Sequence, residues 1–477
     1  MANVILYNQL GYRPFIWRTI SCYLLARWIE EHGYTCQVIE FTHLFSPEEL
    51  YEYTEMFIDN STLMIGASSN MWTSWSSELM MNVFTKSVPE NIHKALKEVK
   101  NKYPNISTVI GGHRAYTDFS GIEIFDFQCI KDFGEDWLLK LLDELSKTPL
   151  RDRLTRQNFD FDNHRFVFRD HDCILPNESL PIEWGRGCIF KCPFCRSPKL
   201  GKKSGAYEKS IDLMVDTLTE VFEKFGTTSF YFIDETFNAD YERVKNLHKV
   251  AERLPFKLEF SCYNRADLID KHPDTIDLLQ ESGLRSTLFG IETFNPEASK
   301  LVLKPWSSKR AKDFLPELRS KWHKVHIDCS LIAGLPGVTK EEHYSIADWF
   351  LNSGIDFFNF KPLVMVKDAH STKSTWEVDA SKLRIEWIDD EDPFQWRWGD
   401  TTYRDSFILS SELNRYVKTN ERIFSWSVPA YTVFGLKIDE VVNNKIVNII
   451  DKVGDLYDLE QNIFEEYKSR LKLLRGR

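Results

Sequence analysis

Twice along its 477 residues this chain alternates short apolar runs of strand length with amphipathic stretches of helical length. That rhythm leaves few architectures open, because parallel neighbours in a sheet must be joined by a long crossover, usually a helix. In the first series, Val4 to Tyr7, Cys36 to Phe41, Leu63 to Ala67, Thr108 to Ile110 and Cys129 to Lys131 read as strands. Between them, Trp17 to His32 carries Ile20, Leu24, Leu25 and Trp28 as one stripe ahead of Gly33. Ser46-Pro-Glu-Glu opens a capped helix, and further helices are expected at 89–102 and from Glu135 to Ser146. Residues 1–150 are therefore expected to form a doubly wound, Rossmann-like α/β domain.

Residues 151–180 have no sustained period and read as a linker over a surface. The second series fills 181–365. Its strands are expected at Ile182 to Trp184, Ser229 to Ile233, Leu258 to Cys262, Ser286 to Phe289, His326 to Ile332 and Phe357 to Phe360, with helices near 210–225, 241–253, 273–282, 308–322 and 340–353. Six repeats are too few to close an eight-stranded barrel, so a partial (β/α)6 barrel of TIM type is expected, with its site at the carboxyl ends of the strands. Residues 366–477 form an extension, aromatic-rich at first and helical from about 437. Its Trp376, Trp387, Trp396, Trp398, Trp426, Tyr403 and Tyr431 suit either a cap over the open barrel or a satellite core. Asp389 to Asp392 reads as a solvated turn, and Lys468, Arg470, Lys472, Arg475 and Arg477 as a charged helix end.

A formal charge of −11 argues against a nucleic-acid-binding chain. No apolar run approaches the ~18 residues of a membrane span, and Met1 to Asn8 lacks the layout of a secretory leader, so a cytoplasmic location is expected. The nine cysteines are odd in number, and Cys22, Cys36, Cys129, Cys173, Cys262 and Cys329 stand singly, mostly in apolar stretches that suit packing. The other three fall within eight positions, in Gly185-Arg-Gly-Cys188-Ile-Phe-Lys-Cys192-Pro-Phe-Cys195. A structural zinc site takes four ligands, whereas an iron–sulfur cube held by three thiolates keeps one iron open to a substrate or cofactor. A zinc or redox-inert loop is the competing reading of these residues. Gly185 and Gly187 let the backbone approach the cluster, and Phe194 can shield it or pack on an adenine ring.

The C-x3-C-x2-C spacing with an aromatic before its last cysteine resembles the radical S-adenosylmethionine superfamily. The resemblance implies a [4Fe–4S] cluster on Cys188, Cys192 and Cys195 that binds S-adenosylmethionine and cleaves it reductively to a 5′-deoxyadenosyl radical. It also implies an external electron donor of flavodoxin or ferredoxin type. Further matches follow successive strands. Ile233-Asp-Glu-Thr-Phe-Asn resembles the acidic segment beside the methionine ammonium group, with the choice between Asp234 and Glu235 open. Arg265 offers a fork to a carboxylate, Glu292 in Gly-Ile-Glu-Thr resembles a glutamate that lines the site, and Gly334 and Pro336 resemble a turn packed on the adenine.

The preceding α/β domain resembles that of the cobalamin-dependent members, which implies that Asn8, Ser68, Ser69, Gly111 and Gly112 face a corrin, within loops extending to Arg13, Met71 and His113. The Asp-x-His-x-x-Gly motif for a lower axial histidine is absent, and His113 reads better as a surface residue than as its replacement. The group's usual outcome is methylation of an unactivated carbon. The same cofactors also serve cyclisation or rearrangement, and a non-catalytic metal-bound or electron-transfer module is the reading from another class. A resemblance to methylthiotransferases is set aside, because the three additional cysteines it requires would have to be Cys22, Cys36 and Cys129, none on converging loops. The substrate, small molecule or peptide, is not encoded legibly.

Overall fold

The computed structural model describes residues 1–9, 17–69, 72–76, 81–84, 87–112, 120–129, 134–147, 158–175, 178–195, 206–304, 306–365, 367, 374–389, 395–419 and 453–475. The chain divides into two compact units, one of Met1–Pro181, Thr217–Thr227 and Lys452–Arg477, the other of Ile182–Asp216 and Thr228–Asp451.

In the first unit β1 (Val4–Tyr7), β2 (Cys36–Ile39) and β3 (Met64–Ser68) are followed by a hairpin of β4 (Thr73–Ser76) and β5 (Met81–Phe84), then by β6 (Ser107–Gly111) and β7 (Phe127–Cys129). Among the described residues, five strands form one parallel sheet in the order β2-β1-β3-β6-β7. This is the expected doubly wound arrangement, and the order reverses beside β1, at the kind of switch point where sheets of this type bind ligands. Ser46 caps its helix as expected, in a full capping box with Glu49 and with Pro47 in the first turn. The hairpin was not foreseen.

Two expectations change. The helix expected from Trp17 begins at Ser21, because the preceding residues are held by polar contacts: Thr19 Oγ1 donates to Asn8 Oδ1, and Arg18 is drawn into the interior. The described residues of the segment expected to be a surface linker, 158–175 and 178–180, belong to this unit. Arg18 donates to Glu178 at 2.6 Å, to Asp172 O at 2.9 Å and to Cys173 O at 2.8 Å, and Arg169 binds Asp172, Glu30 and Cys36 O. Phe161, Phe166 and Phe168 are buried alongside. The helix Val453–Leu474 completes the unit: the Tyr467 hydroxyl accepts from Glu40 N at 2.8 Å, Lys468 pairs with Glu49, and Arg470 donates to Ile174 O. Of the basic residues at that end, Lys468 and Arg470 are engaged in packing and Lys472 lies over Tyr53, while residues 437–452 and Arg477 lie outside the described set.

In the second unit β8 (Leu180–Ile182), β9 (Ser229–Phe232), β10 (Glu259–Asn264), β11 (Leu284–Glu292), β12 (His326–Ala333) and β13 (Phe357–Pro362) lie side by side in chain order, with helices between them. β9 to β13 pair in parallel, as a partial barrel requires. Trp376 and Trp396 are buried with Ile332, Leu335 and Leu363, and Trp387, Trp398, Tyr403 and Phe194 pack against that cluster. The aromatic extension therefore forms a small core continuous with the ends of β12 and β13. Trp426, Tyr431 and residues 390–392 lie outside the described set.

Two outcomes test the packing of the first unit. Arg18→Met leaves the Glu178 carboxylate buried without its counter-charge, so the variant should lose about 3–5 kcal/mol in urea unfolding. Burial pushes the Glu40 carboxyl up to about 7, against the nearby Arg18 charge and a hydrogen bond from Tyr23. Folding then favours the protonated acid, and this part of the stability is lost as pH rises from the unfolded value near 4.3 to about 7, at about 1.4 kcal/mol per pH unit. Glu40→Gln should remove that slope from the pH dependence of unfolding.

Candidate functional site

The cysteine loop leaves the end of β8 and is fastened to the next strand before its first thiol appears. Trp184 N and Gly185 N donate to Asp234 at 3.2 and 2.7 Å, and Asp234, fully buried just past β9, pairs with Arg243 at 2.9 Å. Arg243 also pairs with Glu208, and Arg186 N and Lys209 N close the loop against Tyr207 O and Trp184 O, both at 3.0 Å. Burial raises the Asp234 carboxyl, and the Arg243 charge with the two backbone donors opposes that rise. A Cβ on Gly185 would lie 2.7 Å from Arg243 Nη2 and 3.1 Å from Asp234 Oδ1. This glycine therefore makes room for the brace, where the sequence suggested room for a cluster. Gly187 has φ +79°, which a side chain resists.

Cys188, Cys192 and Cys195 are all half-buried, and Cys195 N donates to Cys192 O at 3.0 Å. The three thiols line a cavity of about 180 Å³, together with Phe194, Glu235, Arg265 and Glu292, which the sequence also singled out. Among the described residues no three Cys, His, Asp or Glu side chains are grouped to hold one metal ion. A cube differs in its demand, since each thiolate binds its own iron, and the donor set of three thiols on one short loop fits it. Burial pushes the Cys192 thiol up, and the positive charges of Lys304 and Arg265 act against this.

Of the two neighbouring acids, Glu235 lines the cavity, and Asp234 lies beneath in the brace. Arg265 spends Nε and Nη2 on Asp267 at 3.0 and 2.7 Å and stacks over Phe190 at 4.1 Å, which leaves Nη1 as the edge that can turn to a ligand. Glu292 sits in the left-handed region at φ +66°, at a register shift between β11 and β12. Such a backbone is uncommon outside glycine and clusters at functional sites. Lys304, absent from the sequence reading, holds this corner by pairing with Glu292 at 3.1 Å and donating to Gly290 O at 2.6 Å. A Cβ on Gly290 would run into both Glu292 Oε1 and Lys304 Nζ. The one signal for Lys304 in the sequence was a lysine and proline ending the apolar run Leu301-Val-Leu303.

Gly334 and Pro336 do not line the cavity. Gly334, at φ +81°, would bring a Cβ within 2.5 Å of Ser406, whose hydroxyl donates to Ala333 O and accepts from Leu363 N, both at 2.7 Å. The close approach it permits is that of the helix Tyr403–Thr419.

In the first unit the residues expected to face a corrin divide. Asn8 is buried, with Nδ2 on Thr19 O and Glu40 and Oδ1 on Thr19 Oγ1, and Ser69 is buried with Oγ and N on Gly111 O. Their side chains hold the loops instead of facing outward. Ser68 is half-buried, 3.5 Å from Ser21 Oγ. Gly111 and Gly112 are half-buried at the end of β6, and Gly112 has φ +102°. Among the described residues a Cβ on Gly111 would meet Cys129, at an ordinary 3.7 Å. Leu10 to Arg13, Asn70, Met71 and His113 lie outside the described residues.

A partial parallel barrel with a three-cysteine loop after its first strand defines a class, and the comparison with protein families names it. Residues 182–350 match the Radical SAM superfamily model, so this barrel is a radical SAM domain. A hopanoid C-2 methylase of Rhodopseudomonas palustris (strain TIE-1) is 28% identical over 127 residues, 26% of this chain and 24% of the relative. A bacteriochlorophyllide d C-12(1)-methyltransferase of Chlorobaculum tepidum is 24% identical over 188 residues, 38% of this chain and 39% of the relative. The ribosomal protein uS12 methylthiotransferase RimO of Chlamydia caviae is 26% identical over 192 residues, 38% and 41% respectively. Each alignment thus spans less than half of the relative. Among solved structures, the radical S-adenosylmethionine methyltransferase TsrM from Kitasatospora setae superposes with a TM-score of 0.60 at 15% identity, covering 82% of this chain and 80% of that one. At that identity the likeness establishes a shared fold.

One outcome tests the brace. In Gly185→Ala the added methyl meets the Arg243 guanidinium, so iron and sulfide bound per chain after anaerobic reconstitution should fall several-fold. Loading equal to that of the unaltered protein would show that the loop needs no such support.

Proposed function

We propose that the chain is a cobalamin-dependent radical S-adenosylmethionine methyltransferase acting on an unactivated carbon of a small-molecule or peptide substrate. The observation that carries this reading is the convergence of three loop thiols, Glu235, Arg265, Glu292 and Lys304 on one cavity. The curated relatives named as methylases support the methyl-transfer outcome. When bound, a [4Fe–4S] cluster and cobalamin supply respectively the electron that cleaves S-adenosylmethionine to a 5′-deoxyadenosyl radical and the methyl group.

Cys188, Cys192 and Cys195 serve as the cluster's thiolate ligands, and the Lys304 and Arg265 charges oppose the rise that burial gives the Cys192 thiol. Glu235 offers a carboxylate to the methionine ammonium group, and Arg265 Nη1 or Lys304 offers a cation to its carboxylate. Glu292, fixed by Lys304, is a hydrogen-bond acceptor for the remainder of the molecule. Phe194 lines the cavity and rests on Trp376, 5.9 Å between ring centres, which excludes water from that side. In the first unit, Gly111 and Gly112 present bare backbone at the carboxyl edge of the sheet, which suits a broad flat ring. The electron comes from an external donor of flavodoxin or ferredoxin type. No described helix is long and apolar enough to cross a membrane.

The methylthiotransferase relative raises a second reading, in which a further cluster would need thiolates from the first unit. Cys22, Cys36 and Cys129 are buried there, and burial pushes the Cys22 and Cys36 thiols up, the latter to about 12. Such thiols suit packing, which favours the methyltransferase reading.

Anaerobically reconstituted protein should show the broad visible absorption of an iron–sulfur cluster, lost in Cys192→Ala. With reductant and S-adenosylmethionine it should form 5′-deoxyadenosine, and Glu235→Ala should slow this by about tenfold, or 1.4 kcal/mol. Protein purified without oxygen should carry a corrinoid that Gly112→Trp excludes. Zinc alone in the preparation, or no deoxyadenosine under any reductant, would overturn the proposal.

A further inference from the structure

We infer that the hollow between the helices Pro296–Leu301 and Ser308–Lys321 is the landing surface for the electron donor, an acidic one-electron carrier protein. This rests on the radical reading above. The hollow has a volume of about 680 Å³ and is lined by Lys300, Lys304 and Lys309, with Leu303 and Trp306. Lys304 lines the cysteine cavity as well, so this outer surface and the place where the electron is used share a wall at that side chain.

The charge of the surface is opposite to that of the chain. From Pro296 to Lys312 there are five basic residues and one acid, Glu297, in a protein of net charge −11. Arg310 is engaged by Asp270, Lys312 lies over Phe294 and Lys304 is held by Glu292, so the charge offered outward is that of Lys300 and Lys309. Lys300 pairs with Glu297, and both are more than 70% exposed (73% and 79%), a pair that solvent weakens and a partner can replace. Beside these lysines Leu303 is 57% exposed at φ +53°. An apolar side chain turned to solvent from a strained backbone, rimmed by charge, has the make-up of an interface centre.

A carrier protein of acidic surface would be steered to this patch against the repulsion of the rest of the chain. The transfer balances as one electron: the carrier is oxidised by one, and the sulfonium is reduced by one as its carbon–sulfur bond breaks to give methionine and the 5′-deoxyadenosyl radical.

The test compares two reductants on the reconstituted holoenzyme. In Lys300→Glu/Lys309→Glu the concentration of reduced flavodoxin giving half-maximal deoxyadenosine formation should rise at least tenfold, and its dependence on salt should flatten. The rate driven by dithionite, which needs no landing surface, should stay as it is. Unchanged kinetics with both reductants would overturn the inference. Binding of oxidised flavodoxin, followed by calorimetry, gives a readout independent of turnover. Weaker binding by the variant supports the surface, and equal binding overturns it even if both rates fall. Failure of the unaltered protein to form deoxyadenosine with dithionite would instead count against the functional reading.

Discussion

The cavity depends on a buried ion pair that touches no ligand. Asp234 takes two backbone N–H groups from the start of the cysteine loop and is held by Arg243. Breaking such a pair on one side strands the other charge in the interior, at a cost of about 3–5 kcal/mol. The loop's entry is thereby set relative to β9 and β10, the strands whose ends supply Glu235 and Arg265. From the other side, Trp376 N donates to Pro193 O at 3.1 Å, so the aromatic extension grips the same loop between its second and third cysteines. A short loop with three thiols is held at its start and again before its last cysteine, which spares a cluster much of the entropic cost of ordering its ligands.

The wall opposite that loop is arranged on different terms. Lys304, Glu292 and Gly290 form a closed corner in which the missing Cβ of glycine is the space that lysine and glutamate share. The left-handed backbone at Glu292 persists because the ammonium group holds both the carboxylate and Gly290 O. Strain of this sort costs about 1–3 kcal/mol and needs such over-determination to survive.

Both sheets were legible because their strands and helices carry clean apolar periods, and the cysteine loop was legible from its spacing alone. The rest was hidden for identifiable reasons. Residues 158–175 and 178–181 are held by Arg18, Arg169, Asp172 and Glu178, buried polar groups that leave no periodicity to detect. Asp234 and Glu235 are neighbours of one chemical type, and only the packing of Arg243 separates the brace from the cavity. Lys304 lies on a loop that local pattern places nowhere in particular, and its approach to Glu292 comes from the bulge in β11. Gly185 and Gly334 were recognised as necessary, but the groups that need the space, Arg243 and Ser406, come from distant segments.

The closing helix of the first unit bears on the order of events during synthesis. Tyr467 and Glu40, joined by a hydrogen bond, stand 427 positions apart in the chain. A ribosome adds residues at about 5–20 per second, so at least ~20 s separates the emergence of the amino-terminal sheet from that of the segment that seals it. During that interval Phe41 and Phe45, which pack against Tyr467 and Phe464, have no cover from that helix. The amino-terminal unit is the first to be made and the last to be finished, so a nascent chain stalled before Val453 should be bound by chaperones at this surface.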